Sequence, residues 1–539
     1  MADLKSAATQ AMEKYPLHIV PAVVHPALAK IAGVAQITQP DEVWGPIIVL
    51  GIIAGILLPV LQLFVRDWRR SGLFVTAFIG WCFAYSFLVA IFMDLRRTAG
   101  FVGNEEALKP VFMVYTIIYL LIPIFAIRLL LKLNSSLLKD LTFVLNATMI
   151  GFFAWDGVAF FNSYQEYFAK SASIVAQNKL PSNFIANAKV TVRPDIYYII
   201  LDGMASEDSL KKRFQIDSDF IKSLEERGFY VAADSKSNFE FTVLSLSSSL
   251  NMRYPLERFA DASTHNNWNL IMPIIENNQF VQALKMLGYK YILLDSSAAS
   301  TRNSPLADQV RRAGPMYGFS DFSLLLHQSI WSLVEPSYPI FHNLLGGQRL
   351  WEFQELKNTV SEPSPKFVFA HINFPHYPYI LDRNGKVLED CSFSPLGVMW
   401  KEKDKYRDAA LFAQKASLDA VDAILKNSKA PPIIIIQGDH GPDSGGRERV
   451  SPTTSEYVDE RHSILNAYYL PADGKSELYS TISPVNSFRT VLRHYFHLDL
   501  PNLPDKQYFA AFPEICRVQD VTKLLKTPSS GDKAGSLER

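Results

Sequence analysis

The stretch PPIIIIQGDHG (431–441) drives four isoleucines straight into an acid and an imidazole. A short continuous apolar run between a proline pair and a glycine fits a strand covered on both faces, of the kind that parallel sheets contain. In such sheets, sites form beyond the carboxyl ends of the strands. Asp439 and His440 are therefore either a plain turn or a pair of ligands at a sheet rim. The rest of the chain has to decide between the two.

A second segment has the same build. PDIYYIILDG (194–203) is an apolar strand ending at Asp202, followed by a polar periodic helix over about 206–227 and a short strand, GFYVA (228–232). FVQALKMLGYKYILLDSS (280–297) reads as helix, Gly stop and strand, and KFVFAHINF (366–374) as another strand. In 408–427 the apolar positions 411, 418, 421, 424 and 425 have helical spacing. ILNAYYLP (464–471) is a further strand, and SPVNSFRTVLRHYF (483–496) a helix with Ser483 as its N-cap. Strands alternating with helices predict an α/β domain over 194–521, its mostly parallel sheet covered by helices on both faces. Asp202, the segment after Phe374 and Asp439–His440 then share one rim. The region 298–365 is less regular, and its apolar stretch 322–334 reads as a packing helix ahead of a membrane contact. Residues 522–539 read as a disordered tail.

The chain has 539 residues, 48% of them hydrophobic, and the apolar share is concentrated before residue 161. Four segments there reach the roughly 20 residues a bilayer needs: 46–65, 72–93, 110–131 and about 141–161, the last interrupted by Asp156. A fifth, 17–35, carries two His, two Pro and a Lys and fits a span or an interfacial segment. The basic loops RDWRRS (66–71) and Arg128–Lys139 are expected on the cytoplasmic side. That puts the loop 94–109 and everything after residue 161 outside. Five spans with a cytoplasmic N-terminus satisfy this parity. The start MADLKSAATQAMEKY lacks the apolar core of a cleavable signal. The expected layout is a membrane domain over 1–164, a polar linker over 165–193 and an extracytoplasmic domain beyond it, in a plasma-membrane protein. Acidic and basic residues balance at 53 each, which argues against a nucleic-acid partner. No CxxC is present among the three cysteines, and Cys391 and Cys516 fit a disulfide or two free thiols.

A rim that binds a divalent cation needs carboxylates or imidazoles, and Asp202, Asp439 and His440 supply both. Mixed oxygen and nitrogen donors suit Mn²⁺ or Zn²⁺ better than Ca²⁺. After the second strand, SNFEFTVLSLSSSLNMRYP (237–255) opens a hydroxyl-rich helix. A hydroxyl at a helix N-terminus is a seat for a phosphate-like anion, although a Ser/Thr helix start also has a purely structural use.

In this order, an Asp after the first strand, a hydroxyl on the next helix, HINFPHYPY (371–379) and GDHG (438–441) resemble the alkaline phosphatase/sulfatase superfamily. With the apolar N-terminal third, the chain resembles its membrane-anchored sulfatase-like phosphotransferases, such as lipoteichoic acid synthase and the phosphoethanolamine and phosphoglycerol transferases. The resemblance implies one divalent metal, with room for a second, on Asp202, Thr242, Asp439 and His440. It implies Thr242 as nucleophile, when the sulfatase pattern Cys-x-Pro-Ser-x-x-Ser-Leu-Leu is laid over TVLSLSSSL (242–250), with Ser245 as fallback. Neither Cys nor Pro is present at the required places, so no formylglycine can form, which speaks against a true sulfatase. His376 matches a family His near the phosphate or leaving group, and His371 is a second such candidate. Asn238, Arg253 and His462 are weaker substrate contacts, His462 fitting a second metal site or a structural role. Arg461 is weaker still, and Asp443 reads as a turn residue. The implied partners are a phospholipid donor and an envelope glycan or lipid acceptor. A membrane-tethered phosphodiesterase using water is the alternative.

Overall fold

The structure, a computed structural model, describes residues 2–33, 44–98, 105–255, 268–296, 299–313, 339–389, 402–444, 454–511 and 514–526. The stretch 322–334, Cys391 and residues 527–539 lie outside them, as does the side chain of Cys516. The chain divides into two compact units, one built from residues up to Phe168 and the other running from Ala169 onward.

The first unit is helical: α1 (Ala2–Lys14), α2 (Ile19–Gly33), α3 (Trp44–Val65), α4 (Trp68–Thr98), α5 (Glu105–Lys132) and α6 (Ser135–Asn178). Among the described residues, three helices are long and apolar enough to cross a membrane: α3, Met113–Lys132 of α5, and α6. Their outward faces carry large apolar side chains. Leu63, Phe64, Phe125 and Trp155 are each more than 70% exposed, which a hydrocarbon surrounding favours over water. The 72–93 segment falls within α4. The 17–35 segment is the 15-residue α2, with Pro26 inside it. At 1.5 Å per residue its length is roughly 22 Å, short of the ~30 Å hydrocarbon core. Asp156, which interrupts the last apolar stretch, is buried and faces His25 Nδ1 of α2 at 2.5 Å. α6 also continues through the first half of the expected linker. Nothing between Val158 and Lys179 is Gly or Pro, and the helix stops at Asn178, three residues before Pro181.

The second unit comprises β1 (Ile196–Leu201), α7 (Glu207–Phe214), α8 (Phe220–Glu226), β2 (Tyr230–Val231), α9 (Thr242–Asn251), α10 (Trp268–Glu276), α11 (Gln279–Met286), β3 (Lys290–Leu294), β4 (Gln309–Arg311), α12 (Pro339–Asn358), β5 (Lys366–Ile372), α13 (Lys403–Asn427), β6 (Ile433–Gln437), α14 (Ser455–His462), β7 (Asn466–Tyr469), α15 (Pro484–Phe496), β8 (Tyr508–Ala511), β9 (Glu514–Asp520) and α16 (Thr522–Lys526). Seven strands form one sheet in the order β2-β7-β6-β1-β5-β3-β4. The five from β6 to β4 are parallel, while β7 runs antiparallel to β6 and β2 to β7. β1 shows why the strands are apolar without alternation. Ile196, Tyr198 and Ile200 enter one core, with Val243 of α9, Phe280 of α11 and Phe488 of α15. Tyr197, Ile199 and Leu201 enter the other, with Leu210 of α7, Leu224 of α8 and Val421 of α13. Residues of opposite parity are thus equally buried, because helices cover both faces.

Two sequence expectations change here. The helix over 206–227 is two helices, α7 closing on Gln215 in the left-handed region. Residues 522–526 of the expected tail are the helix α16, whose Leu524 and Leu525 pack on Val458 and Phe509.

At the amino edge of the sheet Asp195 is a junction. Its carboxylate accepts from the buried Lys366 Nζ at 2.8 Å, the Lys366 backbone N–H at 3.1 Å and Ser364 Oγ at 2.8 Å. The pair locks the start of β1 to the start of β5. Removing one partner strands a buried charge, so Asp195→Ala is expected to destabilise the second unit by about 3 kcal/mol. Denaturant unfolding of the full chain in detergent measures this. Unchanged stability would show that Lys366 is held by its carbonyl contacts alone.

Candidate functional site

β1 lies between β5 and β6, parallel to both. Ile200 is level with His371 on one side and with Gln437 on the other, and Leu201 with Ile372. The three strands therefore end at one height, and the loops leaving them meet. Asp202 comes one residue after β1, with its backbone N–H on the Ile372 carbonyl at 3.0 Å. Asp439 and His440 come two and three residues after β6. Both glycines of GDHG are required by close approach. A Cβ on Gly438 would lie 2.2 Å from the Met204 carbonyl oxygen, and one on Gly441 1.9 Å from that of Glu460.

The structure brings Asp202, Thr242, His371, His376, Asp439 and His440 together. Asp202, His376 and His440 present ligand atoms within 4.8 Å of one another, and so do Asp202, His371 and Asp439. His371 Nε2 lies 3.3 Å from Asp202 Oδ2, and its Nδ1 is 2.7 Å from Thr301 Oγ1. His440 Nδ1 lies 2.9 Å from the Gly441 carbonyl oxygen, so that nitrogen carries the proton and donates. Its Nε2 then presents a lone pair to Asp202 Oδ1 at 3.6 Å and Asp439 Oδ2 at 3.5 Å. Asp439 Oδ1 accepts from the Gly203 N–H at 3.0 Å, while Oδ2 is buried and makes no hydrogen bond.

Thr242 is the first residue of α9. Its N-cap, Phe241, offers no side-chain acceptor, so no capping side chain meets the first-turn N–H groups. The Thr242 hydroxyl stands 3.2 Å from His440 Nε2 and is partly exposed. Ser245, the fallback nucleophile, is buried, and its hydroxyl donates to the Asp439 carbonyl at 2.7 Å. It fixes the ligand loop and has no exposed face for a substrate.

Electrostatics favour a cation at this point. Burial would raise Asp202, but the nearby His376 and the hydrogen bond from His371 outweigh it and hold the carboxyl well below its usual range. Burial and the Asp202 charge push Asp439 up to about 6. Burial, then the Arg461 guanidinium, push His440 well below the usual imidazole range, which leaves it neutral. Two buried carboxylates and an imidazole lone pair facing one another are all acceptors. A divalent cation would satisfy either three-residue set, Asp202–His376–His440 or Asp202–His371–Asp439, so the residues present fit one.

The weaker candidates separate. Arg461 is buried, and its guanidinium donates to the carbonyls of Gly441 and Glu240. It thereby ties the loop after His440 to the strand-like approach to Thr242. Asn238 is not at the site. Its Oδ1 accepts the Val485 N–H at 2.9 Å, so it caps α15 from a distance, while Ser483 makes no cap bond and donates to Asp505 at 2.6 Å. His462 is fully buried, its ring nitrogens facing the Val458 and Tyr508 carbonyls at 2.8 and 3.1 Å. Arg253 reaches the Asn178 side chain. None of these three joins the cluster. Asp443 is buried, 3.4 Å from the Tyr457 hydroxyl. Sequence reasoning missed Thr301 and the buried Arg349–Glu352 pair of α12, whose charges bear on Asp202 and His371. The signal for Thr301 was its place after β3, another parallel strand ending at the same rim.

No family model matches the chain, and no curated protein does. The chain is similar to solved structures. One is the C-terminal periplasmic domain of EcEptC from Escherichia coli, at 14% identity over 62% of this chain and 95% of that one, TM-score 0.40. Another is the C-terminal periplasmic domain of phosphoethanolamine transferase EptC from Campylobacter jejuni, at 12% over 59% and 94%, TM-score 0.37. A putative sulfatase from Bacteroides thetaiotaomicron is similar at 14% over 57% and 72%, TM-score 0.38.

Asp439→Asn and His440→Gln are each expected to weaken Zn²⁺ or Mn²⁺ binding by more than the roughly 10–100-fold that loss of an outer-shell partner costs. Titration calorimetry on chelator-stripped full chain gives the affinities. Unaltered binding in both variants would remove the rim from consideration as a metal site.

Proposed function

We propose that the protein is a metal-dependent transferase. It moves the phospho-head group of a phospholipid, phosphoglycerol or phosphoethanolamine, to an envelope glycan or lipid through a phospho-Thr242 intermediate. The observation that carries this reading is a partly exposed hydroxyl at a helix N-terminus, 3.2 Å from His440 Nε2 and on the same rim as Asp202 and Asp439. Asp202, Asp439 and His440 would hold a Zn²⁺ or Mn²⁺ ion together with Thr242, and His371 is available to a second. Such a cation supplies Lewis-acid chemistry, lowering the hydroxyl pKa and offsetting phosphate charge.

The chain's own groups do the rest. The first-turn N–H groups of α9 and its dipole seat the phosphate oxygens. Thr242 Oγ1, its proton released to solvent, attacks phosphorus, forming the Oγ1–P bond as the P–O bond to diacylglycerol breaks. His376 Nδ1 is engaged by the Tyr377 carbonyl, which leaves Nε2 to protonate the departing oxygen. In the second half the oxygen of an acceptor hydroxyl bonds phosphorus as the Thr242 Oγ1–P bond breaks, with His376 Nε2 taking the acceptor's proton and Thr242 Oγ1 regaining one from solvent. Apolar helices in the first unit support a membrane setting beside the lipid donor. The basic loops support a catalytic domain on the extracytoplasmic side.

Incubating the full chain and metal with phosphatidylglycerol or phosphatidylethanolamine vesicles is expected to add one head group to the intact mass. Thr242→Ala should abolish the adduct and slow diacylglycerol release by roughly 10³-fold or more. Full turnover with no adduct would sink the covalent mechanism. Release that ignores added glycan or lipid acceptor would make the protein a hydrolase.

A further inference from the structure

The helical unit holds a groove of about 700 Å³ bordered by α3, α4 and α5. Its wall is apolar, with Leu61, Phe74, Phe78, Trp81, Ala126 and Leu130 among its residues, and it has one charged member, Arg70. Arg70 stands at the end where α3 finishes, α4 begins and α5 finishes. One Nη2 hydrogen bond, 2.8 Å to the Leu133 carbonyl, fixes the guanidinium. Its Nε is buried and makes no hydrogen bond. Among the described residues no carboxylate pairs with Arg70, since neighbouring Asp67 lies 3.7 Å from Arg69 and accepts backbone N–H groups.

A half-buried guanidinium without a counter-ion beside an apolar groove asks for a ligand with an anionic head and an apolar tail. Arg66, Arg69 and Arg70 against Asp67 alone leave this end net positive. That selects a head group of net negative charge over a zwitterionic one. We propose that the groove is a binding site for one anionic glycerophospholipid, its acyl chain along the apolar wall and its phosphate on Arg70. The basic loop places this end at the cytoplasmic leaflet, whereas the catalytic domain is expected outside. The lipid is therefore retained and not consumed, and the site is separate from that of the proposed transfer.

The test uses the full chain in mild detergent, delipidated and then mixed with phosphatidylglycerol or phosphatidylcholine, with bound lipids counted by native mass spectrometry. One phosphatidylglycerol per chain is expected, favoured over phosphatidylcholine. Arg70→Gln should lower its occupancy about fivefold, the factor one arginine near the membrane surface contributes, and Arg70→Lys should keep most of it. Ala126→Trp, which fills the groove and leaves Arg70 in place, should also lose the lipid. Thr242→Ala should bind it as the wild type does. Equal binding of the two lipids, undiminished binding by Arg70→Gln or Ala126→Trp, equal loss in Arg70→Lys, or loss in Thr242→Ala would each overturn the proposal.

Discussion

Everything at the rim depends on the register of β1 against its two parallel neighbours. With Ile200 level with both His371 and Gln437, Asp202 and Asp439 have no freedom to part. Two carboxylates are held side by side in a place where burial already disfavours their charge. Folding pins them there because Ile433–Ile436 and Ile196–Leu201 are buried on both faces and a one-residue slip would turn each side chain into the opposite core. The strain of like charges is thus imposed by the apolar core, and a cation at this point would relieve it.

The loops around the rim repeat this division of labour. Gly438 and Gly441 let the chain pass close to neighbouring carbonyls, and Arg461 and Ser245 then tether it by its own backbone. At the rim Asp439 Oδ2 is left without a hydrogen bond, while Asn238 and His462 have theirs supplied by neighbouring backbone and side chains. These two sit away from the cluster despite their polar character.

The parts of this arrangement that were legible in the sequence share one property, which is that periodicity reports burial. Continuous apolar runs marked β1, β5 and β6, and the residues after them had to lie at the rim, so Asp202, Asp439 and His440 could be placed together. Strand direction leaves no such trace. ILNAYYLP reads like its parallel neighbours although β7 runs the other way. Caps supplied from a distance are equally silent, so Ser483 seemed to cap α15 where Asn238 does. His371 lies inside β5 and not after it, so a rule about strand ends understated its contact with Asp202. The polar composition after residue 164 suggested a linker, but without a Gly or Pro nothing ended α6 there.

The pairing of His25 with Asp156 joins residues 131 apart in sequence. An aspartate near the centre of an apolar helix makes insertion of that helix unfavourable by roughly 3 kcal/mol. During synthesis α2 is made before α6, so the partner of Asp156 precedes it in the chain. A substitution at His25 would thus be felt on the very helix that leads into the second unit.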